Sequence, residues 1–170
     1  MNQELRELYQ QVILDHNKSP RNFRKMENAT QFAEGYNPLC GDHIDIFLVI
    51  EDGIVKDVSF KGEGCAISKA SASLMTSILK GKTKEEAEKL FEKFHALVTG
   101  KLGDNPDIDE LGKLAVFAGV QEFPVRVKCA SLAWHTMMNA LHNKEEKTTT
   151  ERLLYCCIDK LFDENNNKTI

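Results

Sequence analysis

Apolar and polar positions change rhythm several times along this chain. Leu5, Leu8, Tyr9, Val12 and Ile13 recur at helical spacing, which predicts an amphipathic helix over residues 3–16. Pro20 keeps it from running much further. The stretch from Ala29 to Asn37 reads as a short strand. Ile44, Ile46, Leu48 and Ile50 then alternate with His43, Asp45, Phe47 and Val49, the pattern of a strand that is apolar on both faces. Asp52-Gly53 marks a hairpin turn, and Val58 and Phe60 lie on the returning strand. Past Gly62 and Gly64 the period becomes helical, with Ile67, Ala70, Leu74, Met75, Ile78 and Leu79 on one stripe ended by Gly81. Thr83 and Glu86 have capping-box spacing and open a further helix, whose buried face holds Ala87, Leu90, Phe91, Phe94 and Val98. A short helix is expected around Leu111 to Ala118. After Pro124, the run Cys129, Leu132, Ala133, Thr136, Met137, Ala140 and Leu141 marks a long core helix.

Strands early and helices late give an α+β class: a small three-stranded antiparallel sheet with about five helices packed on it. Residues 1–145 form one domain on this reading. Residues 146–170 are a polar C-terminal tail, with a helical pattern over 151–162 and a closing Asn-Asn-Asn-Lys-Thr-Ile of disordered composition.

Composition narrows the function classes. Hydrophobic residues make up 42% of the 170, enough for a core without disulfides. The net charge of −4 argues against general nucleic-acid binding, which needs clustered basic charge. No apolar run approaches the roughly 20 residues of a membrane span. The N-terminus is charged from the start, unlike a secretory signal. The expected location is the cytoplasm, where thiols stay reduced, so the five cysteines point to metal or thiol chemistry.

Three of those cysteines sit at junctions. Cys40 lies in a turn, Asn-Pro-Leu-Cys-Gly-Asp. Cys65 stands where a strand hands over to a helix, and Cys129 near the start of the last helix. Two of them thus fall near helix N-termini, where the positive end of the dipole favours a thiolate. Three thiolates leave a tetrahedral ion one ligand short, and Asp42, two residues from Cys40, offers a carboxylate that zinc accepts. Thiolates select zinc or iron–sulfur clusters over magnesium or calcium. Four anionic ligands on a divalent ion leave excess negative charge, which Arg126 and Lys128 would partly offset. Spacing by itself leaves open the ordinary burial of these cysteines as small apolar side chains. Cys156 and Cys157 share a pattern with Leu153, Leu154 and Ile158 and read as packing residues. The five histidines show no metal-pair spacing; His43, beside Asp42, is the one to watch. No cysteine shows the paired base and orienting group that a hydrolase needs.

Taken in order, several segments resemble the SufU/IscU family, which includes the N-terminal domain of NifU. They are Tyr9…His16…Pro20-Arg21-Asn22; Asn37-Pro38-Leu39-Cys40-Gly41-Asp42; the run from Gly62 to Ser71; and Phe123 to Trp134. The resemblance leans to the SufU branch. Lys128 stands where the scaffold branch has a histidine, the stretch Phe123 to Lys128 lacks that branch's double proline, and residues 99–122 resemble the extra SufU segment. It implies zinc held by Cys40, Asp42, Cys65 and Cys129. It also implies a sulfurtransferase-like carrier rather than a stand-alone enzyme. Cys40 would accept persulfide sulfur from a PLP-dependent cysteine desulfurase of the SufS type, after a histidine of that partner frees it, and pass the sulfur to downstream cluster-assembly proteins. The alternative it implies is a scaffold holding iron or a [2Fe-2S] cluster on the same cysteines. The polar tail departs from the family pattern.

Overall fold

The computed structural model describes residues 2–102 and 111–151. Helix α1 covers Gln3–Lys18, and strands β1 (Gln31–Asn37), β2 (Asp42–Glu51) and β3 (Ile54–Glu63) follow it. Helices α2 (Ala66–Leu79) and α3 (Lys84–Val98) come next, then a 3₁₀ segment over Gly112–Glu122 and helix α4 (Pro124–Leu141). The α+β class expected from the periodicity is the class observed. The strand count differs: among the described residues the sheet has four strands in the order β3-β2-β1-β4, because Thr148–Thr149 adds β4.

Each boundary has a local cause. Asn2 caps α1, its side chain accepting from the Leu5 amide. The β2–β3 hairpin turns at Asp52 and Gly53, both with positive φ, the conformation that a tight two-residue turn requires. Thr83 and Glu86 form the capping box at the start of α3. Proline opens α4 at its first position, where no amide hydrogen is needed. The expected helix around Leu111 is instead an extended 3₁₀ segment.

The alternation along β2 explains its apolar double face. Ile44, Ile46 and Leu48 are fully buried under the helices. Phe47 and Val49 point to the opposite face, where Met26 and Ala29 cover them in a small second core. Helix α4 lies against β1, β2, α2 and α3, and carries the fully buried Trp134. In α1 the helical period is as expected, but the buried stripe is shorter. Ile13 and His16 are buried, whereas Leu5 and Leu8 overhang into solvent. Among the described residues no helix is long and apolar enough to cross a membrane.

The segment after α4 reverses at Asn143 and returns to the sheet edge. Thr148 and Thr149 pair parallel with Gly35 and Tyr36 of β1, and Lys147 bonds Glu34 at 2.8 Å. The expected helix over 151–162, with Cys156 and Cys157, lies outside the described residues apart from Glu151.

Candidate metal centre

Strand β1 ends at Asn37 and β2 begins at Asp42, so Pro38 to Gly41 form a four-residue link with Cys40 at its exposed tip. Asn37 and Asp42 face each other across the strand pair, at the base of that link. Both are fully buried. Cys65 is half-buried and caps α2, its sulfur accepting from the Ser68 amide at 3.4 Å. Cys129 is buried in the second turn of α4.

These side chains converge. The Cys129 and Cys40 sulfurs are 3.2 Å apart, and the donor atoms of Cys40, Asp42 and Cys129 all lie within 4.8 Å of one another. Cys65 joins through Asp42, its Sγ being 4.0 Å from Oδ2. The Cys65 amide also donates to Asp42 Oδ1 at 2.7 Å. Three distant parts of the chain therefore meet at one end of the sheet.

Gly64 makes the approach of Asp42 feasible. A Cβ there would stand 2.7 Å from Oδ1 of the carboxylate, inside van der Waals contact.

Charge and burial then favour a cation. The bonds described for Asp42 come from neutral donors only: the Asn37 amide, the Cys65 backbone amide and the Cys65 thiol. A buried carboxylate without a countercharge is costly, and three thiols beside it add further acidic groups. The metal-free thiols feel this. The hydrogen bond from Cys129, ahead of the α2 amides, brings the Cys65 thiol down to about 7 against burial and the Asp42 charge. The same contact with Cys65, then burial and Cys40, drives Cys129 upward. The helix-terminus argument thus applies to Cys65 but not to Cys129, which sits past the first turn. The chemistry of this donor set fits a thiophilic divalent ion.

The residues expected to balance that charge both lie in the first two turns of α4. Arg126 is exposed, with its guanidinium over the Phe123 ring at 4.3 Å, and Lys128 is half-buried. His43 points to the opposite face of the sheet and pairs with Asp45 at 3.2 Å, so it is not part of the cysteine cluster. Asn37 was not anticipated from the sequence. Its only signal was its place beside Pro38 in the Cys40 motif.

Residues 8–130 match the sequence profile of the NifU-like N terminal domain. The chain belongs to that family. The zinc-dependent sulfurtransferase SufU of Bacillus subtilis (strain 168) is 41% identical over 144 residues, covering 85% of this chain and 96% of the relative. The iron–sulfur cluster assembly scaffold protein IscU of Thermotoga maritima is 40% identical over 134 residues, 79% of this chain and 92% of that one. Among solved structures, a Fervidobacterium islandicum protein described as a candidate scaffold for the SUF system superposes with a TM-score of 0.71. It is 37% identical, over 76% of this chain and 93% of that chain. In this family member the four residues named from the sequence lie at one end of the sheet.

Proposed function

We propose that this chain is a zinc-dependent sulfur carrier for iron–sulfur cluster assembly, with Cys40, Asp42, Cys65 and Cys129 as the metal ligands. The observation that carries the reading is an asymmetry within the cluster. Cys40 alone is exposed, on a short loop, while Cys65 and Cys129 are held by helices and Asp42 is fully buried. A bound zinc would keep the thiols deprotonated and shielded from oxidation.

Cys65, Cys129 and Asp42 are the fixed part of the site. Asp42 is pinned on both oxygens, by the Cys65 amide and by Asn37. Cys40 is the mobile part, because its loop can swing without disturbing a helix. Its thiolate attacks the terminal sulfur of a persulfide on a PLP-dependent cysteine desulfurase of the SufS type. A sulfur–sulfur bond forms at Cys40 as the bond to the desulfurase cysteine breaks, and that cysteine leaves as thiolate. The sulfur then passes to cluster-assembly proteins in the cytoplasm. Arg126 and Lys128 are assigned the lesser role of moderating the negative charge of the site.

Relatives named as scaffolds, at similar identity, support a second reading in which the same cysteines hold iron or a [2Fe-2S] cluster. Metal analysis of anaerobically purified protein separates the two. One zinc per colourless chain is the expected result. A brown protein with iron and sulfide would favour the scaffold reading.

A further inference from the structure

The C-terminal segment reaches the cysteine cluster through one buried side chain. Asn37, at the end of β1, has no exposed surface. Its amide nitrogen donates to Asp42 Oδ2 at 3.1 Å and to the Cys129 sulfur at 3.4 Å. Both amide hydrogens are therefore spent on the site. On the other side, Asn37 Oδ1 accepts from the hydroxyl of Thr150 at 2.9 Å. Thr150 is also fully buried. It lies well beyond residue 130, where the family match ends.

This arrangement has a direction. A turned-over Asn37 amide would place its carbonyl oxygen against the Asp42 carboxylate and the Cys129 sulfur, which is repulsive. The Thr150 hydroxyl, by donating to Oδ1, holds the amide with its donors facing the cluster. Thr150 is itself held by the strand before it: Thr148 and Thr149 pair with Gly35 and Tyr36, and Asn139 donates to the Thr148 hydroxyl at 2.6 Å. Strand β4 thus serves to deliver one hydroxyl to the back of the site.

We propose that Asn37 is a positioning residue for Asp42 and Cys129, and that Thr150 completes the site by fixing the orientation of the Asn37 amide. The proposal rests on the assignment of Asp42 and Cys129 as metal ligands. Groups behind the ligands set their direction and hydrogen-bonding capacity. Removing such a group typically weakens metal binding by about 10- to 100-fold. The C-terminal segment is then part of the metal centre rather than an appendage.

The test uses the full-length chain and three variants: Thr150→Val, Thr150→Ser and Asn37→Ala. Zinc affinity is measured by competition with a chromophoric chelator, and cobalt(II) is used to record the thiolate charge-transfer bands. Melting of the metal-free proteins reports folding stability without the ion. Thr150→Val keeps the shape and removes the hydroxyl, so zinc affinity should fall about tenfold and the cobalt bands should shift. Metal-free melting should fall only by the few degrees that one buried acceptor left unpaired costs. Thr150→Ser should restore both metal readouts, and Asn37→Ala should lose at least as much affinity as Thr150→Val. If Thr150→Val does not fold, Asn37→Ala and Thr150→Ser decide: a tenfold loss in the first with a wild-type second supports the proposal. Zinc affinity within twofold of wild type in both Thr150→Val and Asn37→Ala would overturn it, as would a Thr150→Ser protein no better than Thr150→Val. A wild-type chain that binds neither zinc nor cobalt through thiolate would instead overturn the ligand assignment on which the proposal stands.

Discussion

Helix α4 serves two regions that are held together in opposite ways. Around its second turn, Cys129 belongs to a cluster of acidic groups from three parts of the chain. Further along, Trp134 stacks on Phe94 at 4.5 Å, and Phe94 meets Phe117 edge-on at 5.6 Å. The aromatic region needs no ion, since apolar burial and ring geometry outweigh the cost of the unpaired indole N–H of Trp134. The cysteine region carries a buried carboxylate beside three thiols, a combination that a cation would stabilise. A site built around an ion would be able to exchange one donor and remain assembled, while the aromatic core beneath keeps the elements in place. That division suits a carrier whose exposed cysteine must leave and return.

The largest effect is expected on the aromatic side. Phe94→Ala should cost about 3–5 kcal/mol of stability, the range for deleting a buried ring. Metal content per folded chain should stay the same. Denaturant unfolding with zinc analysis on the same sample checks both, and a folded variant that had lost its metal would show that the regions are not separable.

Metal removal acts on the other region. With free zinc a hundredfold above its dissociation constant, the ion adds about 2.7 kcal/mol, a drop of about 5–10 °C in melting temperature after chelation. Trp134 fluorescence at room temperature should remain native, since its surroundings are packed by carbon. An unchanged melting curve after verified removal would deny the ion a structural role.

Gly64→Ala sharpens the account of the site. The added Cβ would press on Asp42 Oδ1 and tilt the carboxylate. Zinc affinity should fall about tenfold, or about 1.4 kcal/mol. Chelator competition would read this, and wild-type affinity would mean that the carboxylate is not held where the structure puts it.

The smallest effect concerns pH. Burial, then His95, pulls His135 down to about 3 from 6.5. The unfolded chain therefore binds the proton first as pH falls below about 6.5, and the native state loses stability down to about pH 3. In metal-free protein His135→Phe should flatten the slope between pH 7 and 5 by about 1 kcal/mol per pH unit. His16, also lowered chiefly by burial, keeps its own share of the slope in both proteins. Identical slopes would show that the surroundings of His135 do not disfavour its protonation.

What was legible from the sequence follows from how local each cause is. The helical stripes, the Asp52-Gly53 hairpin and the Thr83 capping box each have their cause within a few residues, and all appear in the fold. Strand β4 was illegible because Thr148 and Thr149 are polar, and only their pairing with β1 makes them a strand. Leu5 and Leu8 share the helical period with Ile13, but periodicity does not say where the partner surface ends. At the site, the cysteines and Asp42 stood out through their chemistry and their glycine-rich settings. Asn37 did not, because an asparagine before a proline reads as a turn residue. Its bonds to Asp42, Cys129 and Thr150 exist only once residues far apart in the chain meet.

On the proposed mechanism Cys40 is the mobile, sulfur-accepting member of a cluster whose other members stay fixed. The direct measurement is mass-spectrometric localisation of persulfide after the zinc-loaded chain is incubated with a cysteine desulfurase and cysteine. The added sulfur is expected on Cys40, with Cys65 and Cys129 unmodified. Persulfide found mainly on Cys65 or Cys129 would contradict it.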